Sequence, residues 1–170
     1  KDLQIKLNLR GETLTIPANG TFTLKKDASA ILPFNFDMEG ARLKYATAQL
    51  LAKLDDDGRT HYIFFAPDGF TPEYIFKKGT VKGGKVRFTP IPGTKSTFRL
   101  TTATGKKLMV TTLTRQQALN TLQLEDGRLL ITDATVLPEK EKVTLLSVSN
   151  PSVDYILYPS KQGWKPQTVS

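Results

Sequence analysis

Sixteen acidic residues, one histidine and no cysteine bound the chemistry open to this 170-residue chain. His61 would have to do all the base work of a Ser-His-Asp arrangement, and no Gly-x-Ser-x-Gly stretch presents a nucleophile. A zinc site on one His without thiolates would need carboxylates for its other ligands. His61 opens a strand-like run at an alternating position, and the reading places it at the surface or rim. Glycosidic hydrolysis needs two carboxylates across a cleft. Asp55, Asp56, Asp57, Asp68, Glu125, Asp126, Glu139 and Glu141 all stand among turn formers, where such groups bond local backbone. Glu73 and Asp133 do not, and each is suited to pair with a buried Arg. Catalysis is expected from neither, so the chain offers no catalytic, cofactor or metal residues.

The glycine-containing stretches carry weak signals. "DDDG" (55–58) lacks the alternating ligands and closing Glu of a calcium loop. "VKGGK" (81–85) has no strand-to-helix context and is not a phosphate loop. "NGT" at Asn19 is formally a glycosylation sequon, but a tight turn accounts for it. The net charge of +8 is spread out. Lys25-Lys26, Lys77-Lys78 and Lys106-Lys107 are the densest pairs, all beside loop-forming residues. Solvated turn tips explain them better than an anion-binding face, and neither nucleic acid nor membrane is expected as a partner.

The aromatics are the remaining candidates. Tyr62 and Phe64 fall on one face of a strand, as do Tyr74 and Phe76, which is the pattern of a core between sheets. Exposed aromatics stack on sugar rings or on a neighbouring domain, and Tyr158 and Trp164 are the residues placed for that.

These side chains must be held by strands, because alternation dominates. "LQIKLNL" (3–9) puts Leu3, Ile5, Leu7 and Leu9 on one face of a half-buried strand. "TLTIPANGTFTL" (13–24) reads as two strands turning at Asn19-Gly20, and "AILPFNF" (30–36) as an edge strand around Pro33. In the next segment Leu43, Tyr45, Thr47 and Gln49 alternate with Lys44, Ala46 and Ala48, and either set can face the core. "THYIFFA" (60–66) returns after the Asp-rich turn. Further strands are read in "EYIFKK", "KVRFTPI" (85–91), "TFRLTTA", "KKLMVTTL", "GRLLITDATVL" (127–137), "KVTLLSVS" (142–149) and "DYILYP". Thr114 caps one short helix near 114–121.

Roughly a dozen strands spaced about ten residues apart give an all-β antiparallel sandwich. No long helical pattern separates them, which excludes βαβ units. One module over 1–159 is expected, with a weak internal boundary at 90–96 and a fraying tail at 160–170. No apolar run is long enough for a membrane span, and no signal peptide opens the chain. Starting at Lys rather than Met, it reads as a mature form or an excised fragment.

Residues 31–76 carry a resemblance. Pro33-Phe34-Asn35, Gly40, Leu43, Tyr45-Ala46-Thr47-Ala48, Phe64-Phe65, Gly69, Glu73 and Phe76 stand in the order found in the β-rich domain that follows the catalytic barrel in family 35 β-galactosidases. A looser match continues through 109–134, so the likeness covers roughly 31–137. The resemblance implies a non-catalytic module beside a (β/α)8 barrel that carries both catalytic glutamates. This chain is too short for such a barrel, which takes about 250 residues. It further implies a partner in that barrel, contact with galactose-containing glycans, no cofactor, and a periplasmic or secreted home. A carbohydrate-binding module using exposed aromatics is the alternative reading.

Overall fold

The computed structural model describes residues 1–139, 142–148 and 152–160. It is all-β, with one five-residue helix. Three stacked sheets make up the body. The first holds Phe34–Met38 (β5), Ala41–Ala46 (β6), Tyr74–Phe76 (β9) and Arg87–Phe88 (β10), in the order β10-β9-β6-β5. The second holds Gln49–Asp56 (β7), Arg59–Ala66 (β8), Thr97–Thr101 (β11) and Lys107–Thr114 (β12), in the order β11-β12-β8-β7. The third is Thr121–Gln123 (β13), Leu129–Thr132 (β14) and Tyr155–Tyr158 (β17), in the order β13-β14-β17. Two-stranded ribbons pair Asp2–Leu3 (β1) with Phe22–Thr23 (β4), Ile5–Leu9 (β2) with Glu12–Ile16 (β3), and Thr135–Pro138 (β15) with Val143–Leu146 (β16).

The first and second sheets form the sandwich, and the main core lies between them. Met38, Leu43, Tyr74 and Phe76 enter from one side, and Tyr62, Phe64, Leu108 and Val110 from the other. The core draws on residues from both sides of 90–96, the segment linking β10 to β11. A second cluster forms on the opposite face of the middle sheet. There Leu54, Ile63 and Leu113 meet Leu129 and Ile131 of β14, with Ile156 and Tyr158 of β17 packed alongside. The middle sheet is thus covered on both faces. That explains why "YIFFA" and "LMVTTL" read as nearly continuous apolar runs, as strands buried on both sides do.

One pairing departs from the antiparallel expectation. β8 and β12 run parallel, Leu108 opposite Thr60 through Thr114 opposite Ala66. Parallel neighbours need a crossover, and here the chain crosses by way of β9, β10 and β11 rather than a helix. Alternation along a strand does not encode its direction. The N-terminal segment differs too. β3 and β4 do not form one hairpin: β3 pairs back onto β2, and β4 onto β1. Pro17 follows Ile16 and has no N–H to extend a ladder, so pairing ends there. Leu3, Ile5 and Leu9 are 36, 37 and 38% exposed, because a two-stranded ribbon brings no second layer of its own. The strand read at 30–36 begins only at Phe34, the one at 85–91 shrinks to Arg87–Phe88, and 127–137 splits at Asp133 into β14 and β15.

The helix is Arg115–Leu119 (α1), closed by a full capping box. The Gln117 amide donates to Thr114 Oγ1 at 3.1 Å, and the Thr114 amide donates to Gln117 Oε1 at 3.0 Å.

Gly69 shows why the turn after β8 demands glycine. Its φ is +81°, and a Cβ there would lie 2.3 Å from the carbonyl oxygen of Thr23. That backbone is itself fixed, since the Thr23 amide donates to Gly69 O at 3.0 Å. Gly69→Ala is expected to cost about 2 kcal/mol, combining the left-handed penalty with displacement of β4. Urea denaturation measures it, and a loss below about 0.5 kcal/mol would contradict the close approach.

Candidate functional site

Three of the residues that carried the resemblance, Tyr45, Thr47 and Glu73, meet around one buried carboxylate. Glu73 precedes β9 and is 3% exposed. Its Oε1 accepts the Tyr45 hydroxyl at 2.6 Å and the Ala18 amide at 2.9 Å, and its Oε2 meets Arg87 Nη2 at 2.5 Å. The backbone around it is locked by Thr47. The Thr47 amide donates to Glu73 O at 2.9 Å, the Glu73 amide to Thr47 Oγ1 at 2.8 Å, and Thr47 Oγ1 to Thr71 O at 2.6 Å. Asn19, with its amide oxygen turned toward Arg87, accepts from Nη1 at 3.0 Å.

Local sequence explains each placement. Tyr45 and Thr47 alternate onto one face, and the register shift between Leu43 and Tyr45 re-aims β6 toward β9. The Ala18 amide is free to reach Glu73 because the β2–β3 ladder has ended at Ile16. Burial, reinforced by the bond to Glu73, pushes the Tyr45 phenol far above its ordinary range, so it stays a donor. The carboxylate is therefore used as an acceptor that ties the N-terminal ribbons to the first sheet. A general acid or base needs reach to substrate, and this group is enclosed by its own donors.

Asp133 cannot complete a catalytic pair with it. Glu73 stands just before β9 of the first sheet, and Asp133 lies in the bend after β14 of the third, with the middle sheet between them. Asp133 is exposed and accepts from Asn120 Nδ2 rather than from an Arg. The Arg that does pair with Glu73 is itself half-exposed, not buried. Among the described residues, no three His, Asp or Glu side chains gather as metal ligands.

His61 is a correction. It is 3% exposed, not a rim residue. It points from β8 toward the third sheet, with its ring edge-on to Tyr158 of β17, centroids 5.4 Å apart, and its Nε2 2.7 Å from Thr111 Oγ1 on the neighbouring β12. A polar residue at an alternating position normally marks the wet face of a strand. Here a further sheet covers that face, and one sequence segment does not announce such a layer. Tyr158 is half-buried, and its hydroxyl donates to Thr94 O. It joins β17 to the sandwich rather than standing free as a sugar platform. Trp164 lies outside the described residues.

Two surface features remain. The first is a cleft of about 480 Å³ between segment 24–29, the edge strand β7, the turn after β8, and α1. Leu24, Leu51, Phe65, Phe70 and Leu119 give it an apolar lining, and Lys25, Asp68 and Arg115 stand at its rim. Asp68 lies 3.9 Å from both Lys25 and Arg115. The second is an open polar hollow lined by Asn35, Asp37, Arg42, Lys77 and Thr80.

At one end of the sandwich Glu39 is clamped by two lysines, Lys53 at 2.6 Å and Lys106 at 3.1 Å. These bonds, Lys53's first, hold its carboxyl down to about 2 from 4.5. The unfolded chain therefore takes up this proton first. The stability from the clamp is whole above about pH 4.5 and is lost as pH falls through about 2. Both lysines are more than half exposed, so screening reduces the contribution to about 1 kcal/mol. Between pH 6 and 2 the wild type should lose about 1 kcal/mol more than Glu39→Gln in urea denaturation. Equal slopes would refute the clamp.

A comparison with curated proteins finds no match. A family model described as "Beta-galactosidase, domain 2" matches residues 1–136, the stretch that holds the whole sandwich, the Glu73 lock and α1. The resemblance read from Tyr45, Thr47, Gly69 and Glu73 is thus supported, and the chain belongs to the β-galactosidase domain 2 family.

Proposed function

We propose that this accessory domain of a β-galactosidase acts as a buttress, packing against the catalytic barrel of a family 35-type enzyme and taking no direct part in hydrolysis. The observation that carries the reading is the fate of Glu73. The one carboxylate buried among the described residues is spent on Tyr45, Ala18 and Arg87. There it holds the fold and has no side free for a substrate. The apolar cleft beside α1, with Leu119 62% exposed, supplies a surface of the kind that seats a neighbouring domain. The module is read as one unit over 1–159, and the periplasmic or secreted home that came with the resemblance goes with this role.

The test uses the purified chain and an aryl β-galactoside. Nitrophenol release should stay at the blank, and turnover above it would overturn the non-catalytic role. Added to a separately produced barrel from its own reading frame, the chain should raise the barrel's melting temperature by several degrees. No shift at saturating concentration would overturn the buttress.

A further inference from the structure

The buried histidine has no part in the Glu73 lock or in the apolar cleft. His61 sits where the middle sheet meets the third. From β8 it faces Tyr158 of β17, and its neighbours on that face are Leu54 of β7 and Thr111 of β12. Nε2 bonds Thr111 Oγ1, which is also 2.5 Å from Thr97 Oγ1 of β11. Nδ1 is buried with no hydrogen-bond partner among the described residues. A neutral ring meets this arrangement best with the proton on Nε2, leaving Nδ1 as a bare lone pair, because an orphaned N–H would cost more. A second proton has only Nδ1 to go to, and there the imidazolium would have a buried donor without an acceptor.

We propose that His61 is an acid-sensitive joint: as the neutral imidazole it holds the third sheet against the sandwich, and its protonation releases β14 and β17 ahead of the main core.

The surroundings bear this out from every side. On this face β12 carries Met109 opposite His61, Thr111, and Lys107 at its exposed end, a cation that cannot accept from the imidazolium; β17 brings Tyr158, whose hydroxyl is already engaged with Thr94. Burial also holds the Tyr158 phenol above its ordinary range, so it stays uncharged. Of the charged groups whose fields reach the ring, Asp56 at the end of β7 favours the imidazolium and Arg99 on β11 opposes it. Burial outweighs both and keeps the ring's proton affinity below that of a free histidine at 6.5. Stability from the joint is therefore present above about pH 6.5 and is lost as pH falls from there toward the lower folded value. The third sheet is the part to go first. Among the described residues β17 pairs only with β14, and the cluster under them is far smaller than the main core.

Hydrogen exchange at pH 7.5 and pH 5.0, corrected for intrinsic rates, tests the joint. Protection of 129–132 and 155–158 should fall at least tenfold relative to β6 and β9 in the wild type. In His61→Gln, which stays neutral, that ratio should not change with pH. An unchanged ratio in the wild type, or an equal fall in the variant, would overturn the proposal. Because the chain has one histidine, the Hε1 resonance of its imidazole is assigned without ambiguity and gives a second readout that needs no variant. Titration below 6.5 is expected. Titration at or above 6.5 would mean that the imidazolium is accommodated beside the Tyr158 ring, and would sink the joint.

Discussion

Phe64→Ala should lower the stability of the fold by about 4 kcal/mol. Phe64 lies on β8, in the middle of the middle sheet, and is fully buried between the two sheets of the sandwich. Its ring meets Tyr74 edge-to-face at 5.2 Å. Tyr74 cannot slide into the space left behind, because its hydroxyl bonds Thr112 Oγ1 at 2.7 Å on the opposite sheet. A cavity that its walls cannot fill is the costly kind. Phe64→Leu, which keeps most of the volume, should cost about 1–2 kcal/mol. Guanidinium denaturation of both variants gives the comparison. If the alanine variant lost less than about 1.5 kcal/mol, the pinned Tyr74 would be the wrong account.

Glu73→Ala should cost about 3 kcal/mol. The loss combines two effects. The Tyr45 hydroxyl and the Ala18 amide lose their acceptor. Tyr45 is 2% exposed, so water cannot readily replace the carboxylate for it. The half-exposed Arg87 can turn to solvent, so its share is modest. Glu73→Gln keeps an oxygen for Tyr45 and Ala18 and loses only the charge facing Arg87, so about 1 kcal/mol is expected. Arg87→Ala should match the glutamine variant. If Glu73→Ala cost no more than Arg87→Ala, the ion pair rather than the buried acceptor would hold the ribbons.

Much of this was legible in the chain. Alternation located most strands, Thr114 marked the helix, and the pairing of Tyr62 with Phe64 and of Tyr74 with Phe76 identified the core. The turn at Gly69 and the family likeness came from the same stretch. Boundaries were less legible where the chain is tied to distant partners. Pro33 delays β5, and its carbonyl instead accepts the Ala46 amide at 3.1 Å. The Asp133 bend is made by the Thr132 hydroxyl, which accepts the Ala134 amide at 3.2 Å. Glu73 stood out because no turn explained it, but its donors come from positions 18, 45 and 87, and no local pattern links those three.

The sequence by itself determined the class of fold, the two faces of β8, and the kinship with a β-galactosidase domain, because side-chain alternation and turn chemistry act over a few residues. Tertiary structure alone decided that β8 and β12 run parallel, that a third sheet buries His61, and that Glu73 is enclosed by donors from three separate segments. Each of these depends on which strand lies beside or above another. That choice is made by burial and hydrogen bonding summed over the whole core, and it leaves no mark within a single strand.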